Sequence, residues 1–118
     1  MHAQTEPLIR PFDQAVEYAQ EEPGVAQFNR LIAAGEFPGI VSGRVRLKGP
    51  IHKTPAVHDT WDQIYLVLSG SAVLHVGAFR TPVSGPTVVT IPRGTRHSVE
   101  LADGESIDYV YINQNFTC

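Results

Sequence analysis

The sequence predicts an all-β domain, a sheet rolled into a barrel, and three observations carry that expectation. Short alternating or β-branched runs recur between turn signals from Ile40 to Ile112. Ten glycines and nine prolines are spread over 118 residues, which favours many short strands over long helices. Two histidines, His58 and His97, each stand beside a turn on well-separated strands, and they can meet only if the sheet curls on itself.

Length and charge narrow the classes of function. A chain of 118 residues is long enough for one real core and too short for two. It divides on paper into an arm, a short helix and a first strand over 1–39, and a barrel over 40–118. The net charge of −3 leaves no electrostatic footprint for nucleic acid, and no basic run suggests a membrane surface. Cys118 is the single cysteine, so no disulfide framework exists within the chain. The N-terminus lacks a basic-then-apolar leader pattern, and no apolar run approaches the ~18 residues of a spanning helix. A reducing, cytoplasmic setting is the expectation.

In chain order, residues 1–11 carry Pro7 and Pro11 and read as an arm. Over Phe12 to Glu21, Asp13 is an N-cap candidate, and Phe12, Val16 and Ala19 fall on one face. A short N-terminal helix ending before Pro23-Gly24 is expected there. Val25 to Ala33 alternates weakly, and Gly35 to Gly39 is a loop. Ile40 to Lys48 alternates cleanly, with Val41, Val45 and Leu47 on one face and Ser42, Arg44, Arg46 and Lys48 on the other. Pro55 makes Ile51 to Val57 an irregular or edge piece.

Gln63 to Leu68 is apolar on both faces after the glutamine. Tyr65 and Val67 share the face of Gln63, while Ile64, Leu66 and Leu68 point away, so both sides need cover. The core covers one. The other requires the N-terminal helix or a second subunit, and a homodimer is expected. Ser71 to Phe79 is a further strand, Thr81 to Pro86 a loop with two prolines, and Thr87 to Ile91 a β-branched strand. His97 shares a face with Val99 and Leu101 and is therefore inside. Asp103-Gly104 is a turn between paired strands, and Ile107 to Ile112 is the last strand.

Two stretches, HDTWDQIYLVLSG from His58 to Gly70 and IPRGTRHSV from Ile91 to Val99, together resemble the two motifs of the cupin superfamily, the small jelly-roll barrels. The resemblance spans roughly residues 40 to 112. Counting back from Gly70, Gln63 stands at the family's glutamate position and His58 at its second histidine. The first histidine position is Ala56. Pro92, Gly94 and His97 match the second motif, Gly85 stands near its leading glycine, and its trailing asparagine position is Leu101.

This resemblance implies a single-domain cupin barrel with a divalent metal ion of Fe, Mn, Ni or Zn type, held by nitrogen and oxygen donors on a rigid sheet. The donors are His58, Gln63 through its carboxamide oxygen, and His97. His52 is a possible fourth. On one straight strand it would lie ~20 Å from His58, so the chain must fold back for both to bind. His75 points outward by the same resemblance. Tyr65, Trp61, Tyr109 and Tyr111 are candidates for a substrate pocket, with core filling as the plain alternative for the tyrosines. Arg93 and Arg96 bracket the Pro-x-Gly turn, as solvated charges or as an anion clamp. Asp59 and Asp62 either accept from histidine N–H groups or cap their turn.

Two functions follow. One is a small metal-dependent enzyme acting on a small organic molecule, by isomerase, cyclase or dioxygenase-type chemistry. The other is a non-catalytic cupin that binds a small ligand. The fold alone does not choose between them.

Overall fold

The computed structural model describes residues 6–19, 26–52 and 55–115, with the side chains of 17–19 and 52 outside that description. Among the described residues the chain forms nine strands: β1 (Val16–Ala19), β2 (Ala26–Ile32), β3 (Ile40–Lys48), β4 (Ile51–His52), β5 (Asp62–Val76), β6 (Phe79–Ser84), β7 (Thr87–Ile91), β8 (His97–Leu101) and β9 (Ser106–Gln114). Every named pairing between them is antiparallel.

The longest strand, β5, belongs to both walls. Its first half lies between β9 and β7, giving a wall in the order β1-β2-β3-β9-β5-β7. Its second half lies between β6 and β8, with β4 beyond, giving the opposite wall. The register slips between Val67 and Ser69, and Gly70 follows with φ 82°. A Cβ at Gly70 would stand 2.1 Å from the Ser106 carbonyl oxygen, so only glycine lets the strand cross there.

The two-residue period then sorts the side chains. Cross-strand rows on the inner face of the larger wall read Val41–Asn113–Gln63–Ile91, then Gly43–Tyr111–Tyr65–Val89, then Val45–Tyr109–Val67. Val67, Val45, Leu47, Leu74, Ile91 and Leu101 make the dry interior. Each such aliphatic side chain contributes on the order of 1.5–3 kcal/mol by leaving water. Gly43 has a specific reason to be glycine: a Cβ there would meet the Tyr111 ring at 2.6 Å, so the ring lies over the bare backbone of its cross-strand partner.

The outer face of β2, β3 and β9 is covered by the arm. Ala15, Leu31 and Val110 pack together with Ile112 beside them. Arg10 holds the arm down, donating to both carboxylate oxygens of Glu36 at 2.9 and 2.8 Å and to the Leu31 carbonyl at 2.7 Å. The guanidinium, helped by the Ala33 N–H, holds the Glu36 carboxyl down at about 2.

Several expectations need correction. The expected N-terminal helix is a 3-10 turn over Phe12–Gln14, after which β1 pairs with β2. A helix of that length is marginal alone, whereas pairing satisfies the backbone of the β2 edge. Ala15 is buried instead of Val16, which is 73% exposed. With no helix there, Leu66, Leu68 and Val88 remain exposed on the outer face of β5 and β7. Thr81 to Pro86 is largely strand, because β6 pairs only with β5, an edge position that tolerates Pro82. The Asp103-Gly104 turn joins strands of opposite walls, since β8 pairs with β4 and β5 while β9 pairs with β3 and β5. Ser42, assigned to the polar face of β3, is buried, its hydroxyl donating to the Tyr111 carbonyl at 2.7 Å. Among the described residues, no helix is long and apolar enough to cross a membrane.

Replacing Gly43 by alanine tests the tyrosine-over-glycine contact. The added methyl is expected to cost about 1–3 kcal/mol as overpacking, read as a lower urea midpoint with unchanged slope. A midpoint equal to wild type would contradict the packing described.

Candidate functional site

The site is built where the loop before β5 is zipped to the loop before β8. Ala56 and His97 exchange both backbone hydrogen bonds, at 2.8 and 2.9 Å, and the Gly94 N–H donates to the His58 carbonyl at 2.7 Å. Gly94 sits at φ 79°, the left-handed conformation the Pro-x-Gly turn requires. One more contact fastens the same region. Asp62 accepts from the backbone N–H of Arg93 at 2.9 Å and from its guanidinium at 3.1 Å, which holds the Asp62 carboxyl below the usual carboxylate range.

These constraints bring His58 and His97 together, with ring centroids 5.0 Å apart. The rings are fixed from different sides. His97 is buried, and its Nδ1 lies 3.0 Å from the Thr95 carbonyl oxygen. A carbonyl only accepts, so Nδ1 carries a proton, and in the neutral ring the lone pair is on Nε2. His58 stacks on Trp61 at 4.7 Å and an interplanar angle of 24°. Burial, then the neighbouring His97, lower the His58 pKa below the ordinary imidazole value, while Asp59 pulls the other way.

Gln63 is buried on the same inner face as Tyr65 and Val67. Its Nε2 donates to Asn113 Oδ1 at 2.7 Å, directly across the β5–β9 pairing. That commits an N–H of the amide and leaves Oε1, a buried oxygen with no hydrogen-bond partner among the described residues. The indole Nε1 of Trp61 is likewise buried without a partner. Unsatisfied buried polar atoms are rare, and each calls for an explanation.

The tyrosines lie deeper. The Tyr65 ring meets His97 edge-on at 6.4 Å and tilts against Tyr109 at 4.6 Å. Burial, opposed by a hydrogen bond with Tyr109, pushes the Tyr65 phenol up to about 12. Tyr65, Tyr109 and Tyr111 fill the barrel beneath the histidines. Trp61 instead lines an open cavity of about 420 Å³ at the barrel mouth, together with Phe37, Val41, Asn113 and Arg30. Trp61, which stacks on His58, and Asn113, which holds Gln63, thus both line this cavity.

Other expected residues fall elsewhere. The side chain of His52, the possible fourth donor, lies outside the described residues; its backbone pairs with Glu100. His75 is outward, 2.8 Å from Glu100, on the far side of β5. Asp62 holds Arg93 instead of a histidine, so Asp62 is not a histidine acceptor and Arg93, one half of the expected clamp, is engaged within the protein. Among the described residues, no three His, Cys, Asp or Glu side chains converge. The oxygen donor here is an amide. Asn113 and Arg30 are the additions that sequence reasoning missed. Parity with Tyr109 and Tyr111 places Asn113 inside, whereas the inward side of β2 depends on register and has no clear mark in the sequence.

The comparisons with known proteins agree with this architecture. A family model described as the AraC-like ligand binding domain matches residues 37–116. No curated protein matches the sequence. Solved structures of similar shape include the cupin domain of Schizosaccharomyces pombe Cnp3, at TM-score 0.69 and 19% identity, covering 77% of this chain. The chain spans only 65% of that protein's length. The polyketide cyclase RemF from Streptomyces resistomycificus aligns at TM-score 0.77 and 18% identity over 94% of this chain and 81% of its own. A predicted oxalate decarboxylase from Thermotoga maritima aligns at TM-score 0.79 and 14% identity over 92% of this chain and 100% of its own. At these identities the likeness carries the fold alone.

The lowered His58 pKa has a measurable sign. Its folded value lies below the unfolded one, so its contribution to stability is present above about pH 6.5 and is lost as pH falls through the unfolded value toward the folded one. A histidine NMR titration is expected to place His58 below the ordinary value, and His97→Ala to move it upward. A His58 midpoint at or above the ordinary value would contradict the burial described.

Proposed function

The chain belongs to the family of AraC-like ligand-binding domains and to the cupin superfamily, and from that premise we propose that it binds a small organic molecule at His58, Gln63 and His97, with a divalent metal ion held among the three. The observation that carries this reading is the buried, unpartnered Oε1 of Gln63. A carbonyl oxygen left so costs on the order of 1–3 kcal/mol unless something donates to it or coordinates it.

The donor set fits such an ion. His97 has its lone pair on Nε2, because Thr95 occupies the proton of Nδ1. Burial favours His58 in its neutral form, the form that ligates. Asn113 turns the Gln63 amide so that its oxygen is the atom left over. Two imidazoles and an amide oxygen suit Fe, Mn, Ni or Zn, though a neutral oxygen attracts a dication less than a carboxylate does. When bound, the ion supplies Lewis acidity toward a carbonyl or enolate oxygen of the ligand. The chain's own part is to hold the donors on a rigid sheet, stack Trp61 against His58 and keep water from the tyrosine-filled floor.

The same fold serves a polyketide cyclase, and in an enzymatic version of this reading isomerisation, cyclisation or dioxygenase-type chemistry acts on the bound molecule. The family of ligand-binding domains supports binding without turnover. Both require the same site.

Elemental analysis of protein purified without added metal tests it. Near-stoichiometric Fe, Mn, Ni or Zn is expected, falling about tenfold or more in His97→Ala, with the variant's circular dichroism unchanged. Wild-type protein that neither carries nor takes up any of these ions, by calorimetric titration, would overturn the metal reading.

A further inference from the structure

Gln63 is a buried amide, and an amide has two unlike ends. We propose that Asn113 is the positioning residue of the site: it leaves the Gln63 oxygen, and not the Gln63 N–H, available to a cation. This deepens the role proposed for His58, Gln63 and His97 and rests on it.

The two ends differ in sign. The oxygen accepts and can coordinate a cation, whereas the NH2 group carries two donors and repels one. Oxygen and nitrogen are so alike in size that packing alone does not choose between the two orientations. A hydrogen bond does. Asn113 Oδ1 accepts from Gln63 Nε2 at 2.7 Å, at the short end of the range for an N–H donor. With the nitrogen held there, Oε1 is the buried atom without a hydrogen-bond partner among the described residues. Turning Gln63 alone would set its oxygen against Asn113 Oδ1, two acceptors in contact. Reversal therefore requires both amides to turn together.

Register builds this contact into the sheet. Gln63 and Asn113 are directly opposite in the β5–β9 pairing, whose ladder runs without a slip from Asp62 to Val67. Side chains so placed share a face, with Cβ atoms about 4.5–5.5 Å apart. The same row continues to Val41 beyond Asn113 and to Ile91 beyond Gln63. Both end residues are aliphatic, so Asn113 is the one side chain of that row able to accept from Gln63. The dependence is also peculiar to glutamine. A carboxylate has two equivalent oxygens and presents one whichever way it turns, so an acid at position 63 would need no such guide.

Zn(II) is the probe, titrated calorimetrically into the metal-free full chain, with circular dichroism reporting the fold. Asn113→Leu, close in size, removes the acceptor and is expected to weaken Zn(II) binding about tenfold, as for lost partners of other metal ligands. Asn113→Asp keeps an acceptor opposite the amide and is expected to bind Zn(II) at least as tightly as wild type. In a Gln63→Glu background the loss on Asn113→Leu is expected to shrink to about twofold or less. Without metal, the NMR signals of the Gln63 side-chain N–H groups are expected to be alike in wild type and Asn113→Asp and displaced in Asn113→Leu. Retained Zn(II) binding in Asn113→Leu, an equal loss in Asn113→Asp, or the same loss in the Gln63→Glu background would each overturn the positioning role alone. Wild-type protein that takes up no Zn(II) would instead overturn the histidine–glutamine site, and this role with it.

Discussion

The structure depends on one short piece of pairing, the exchange of backbone hydrogen bonds between Ala56 and His97 with the Gly94-to-His58 contact beside it. Neither loop is a long strand, and each alone would be free to wander. Zipped together, they put two imidazoles from segments nearly forty residues apart at a ring-centroid distance of 5.0 Å. The Asp62–Arg93 contact adds little energy at the surface, but it fastens the start of β5 to the same turn. Position is its contribution.

The rest of the barrel can be seen as support for that point. β5 serves both walls because Gly70 permits the crossing, and the tyrosine rows beneath the histidines exclude water. Low polarity then raises the consequence of every unsatisfied atom. Gln63 spends its nitrogen on Asn113 and keeps an oxygen in reserve; Trp61 keeps a donor.

Much of this was legible in the sequence, and the limits have physical causes. The alternation of Val41, Val45 and Leu47 and the parity of His97 with Val99 and Leu101 placed those residues correctly, because a half-buried strand leaves a period of two. The convergence of His58 and His97 followed from the resemblance of their two motifs to those of the cupins. The N-terminal segment misled because Phe12, Val16 and Ala19 fit a helical spacing, while the deciding fact, an unpaired β2 edge, is non-local. The inward side of Arg30 was hidden for the same reason: register across three strands is not written in any one of them. The Gln63–Asn113 contact needed that register too. His52 stays where the sequence left it, its side chain beyond the described residues.

The most direct test of the central claim is a paramagnetic titration. Substoichiometric Mn(II) added to protein freed of metal, followed by NMR of the side chains, is expected to broaden His97, His58 and the Gln63 amide first, with Trp61 and Asn113 next and His75 unaffected. Broadening centred on His75 and Glu100, or spread evenly over surface carboxylates, would mean that the two imidazoles and the amide oxygen do not act together.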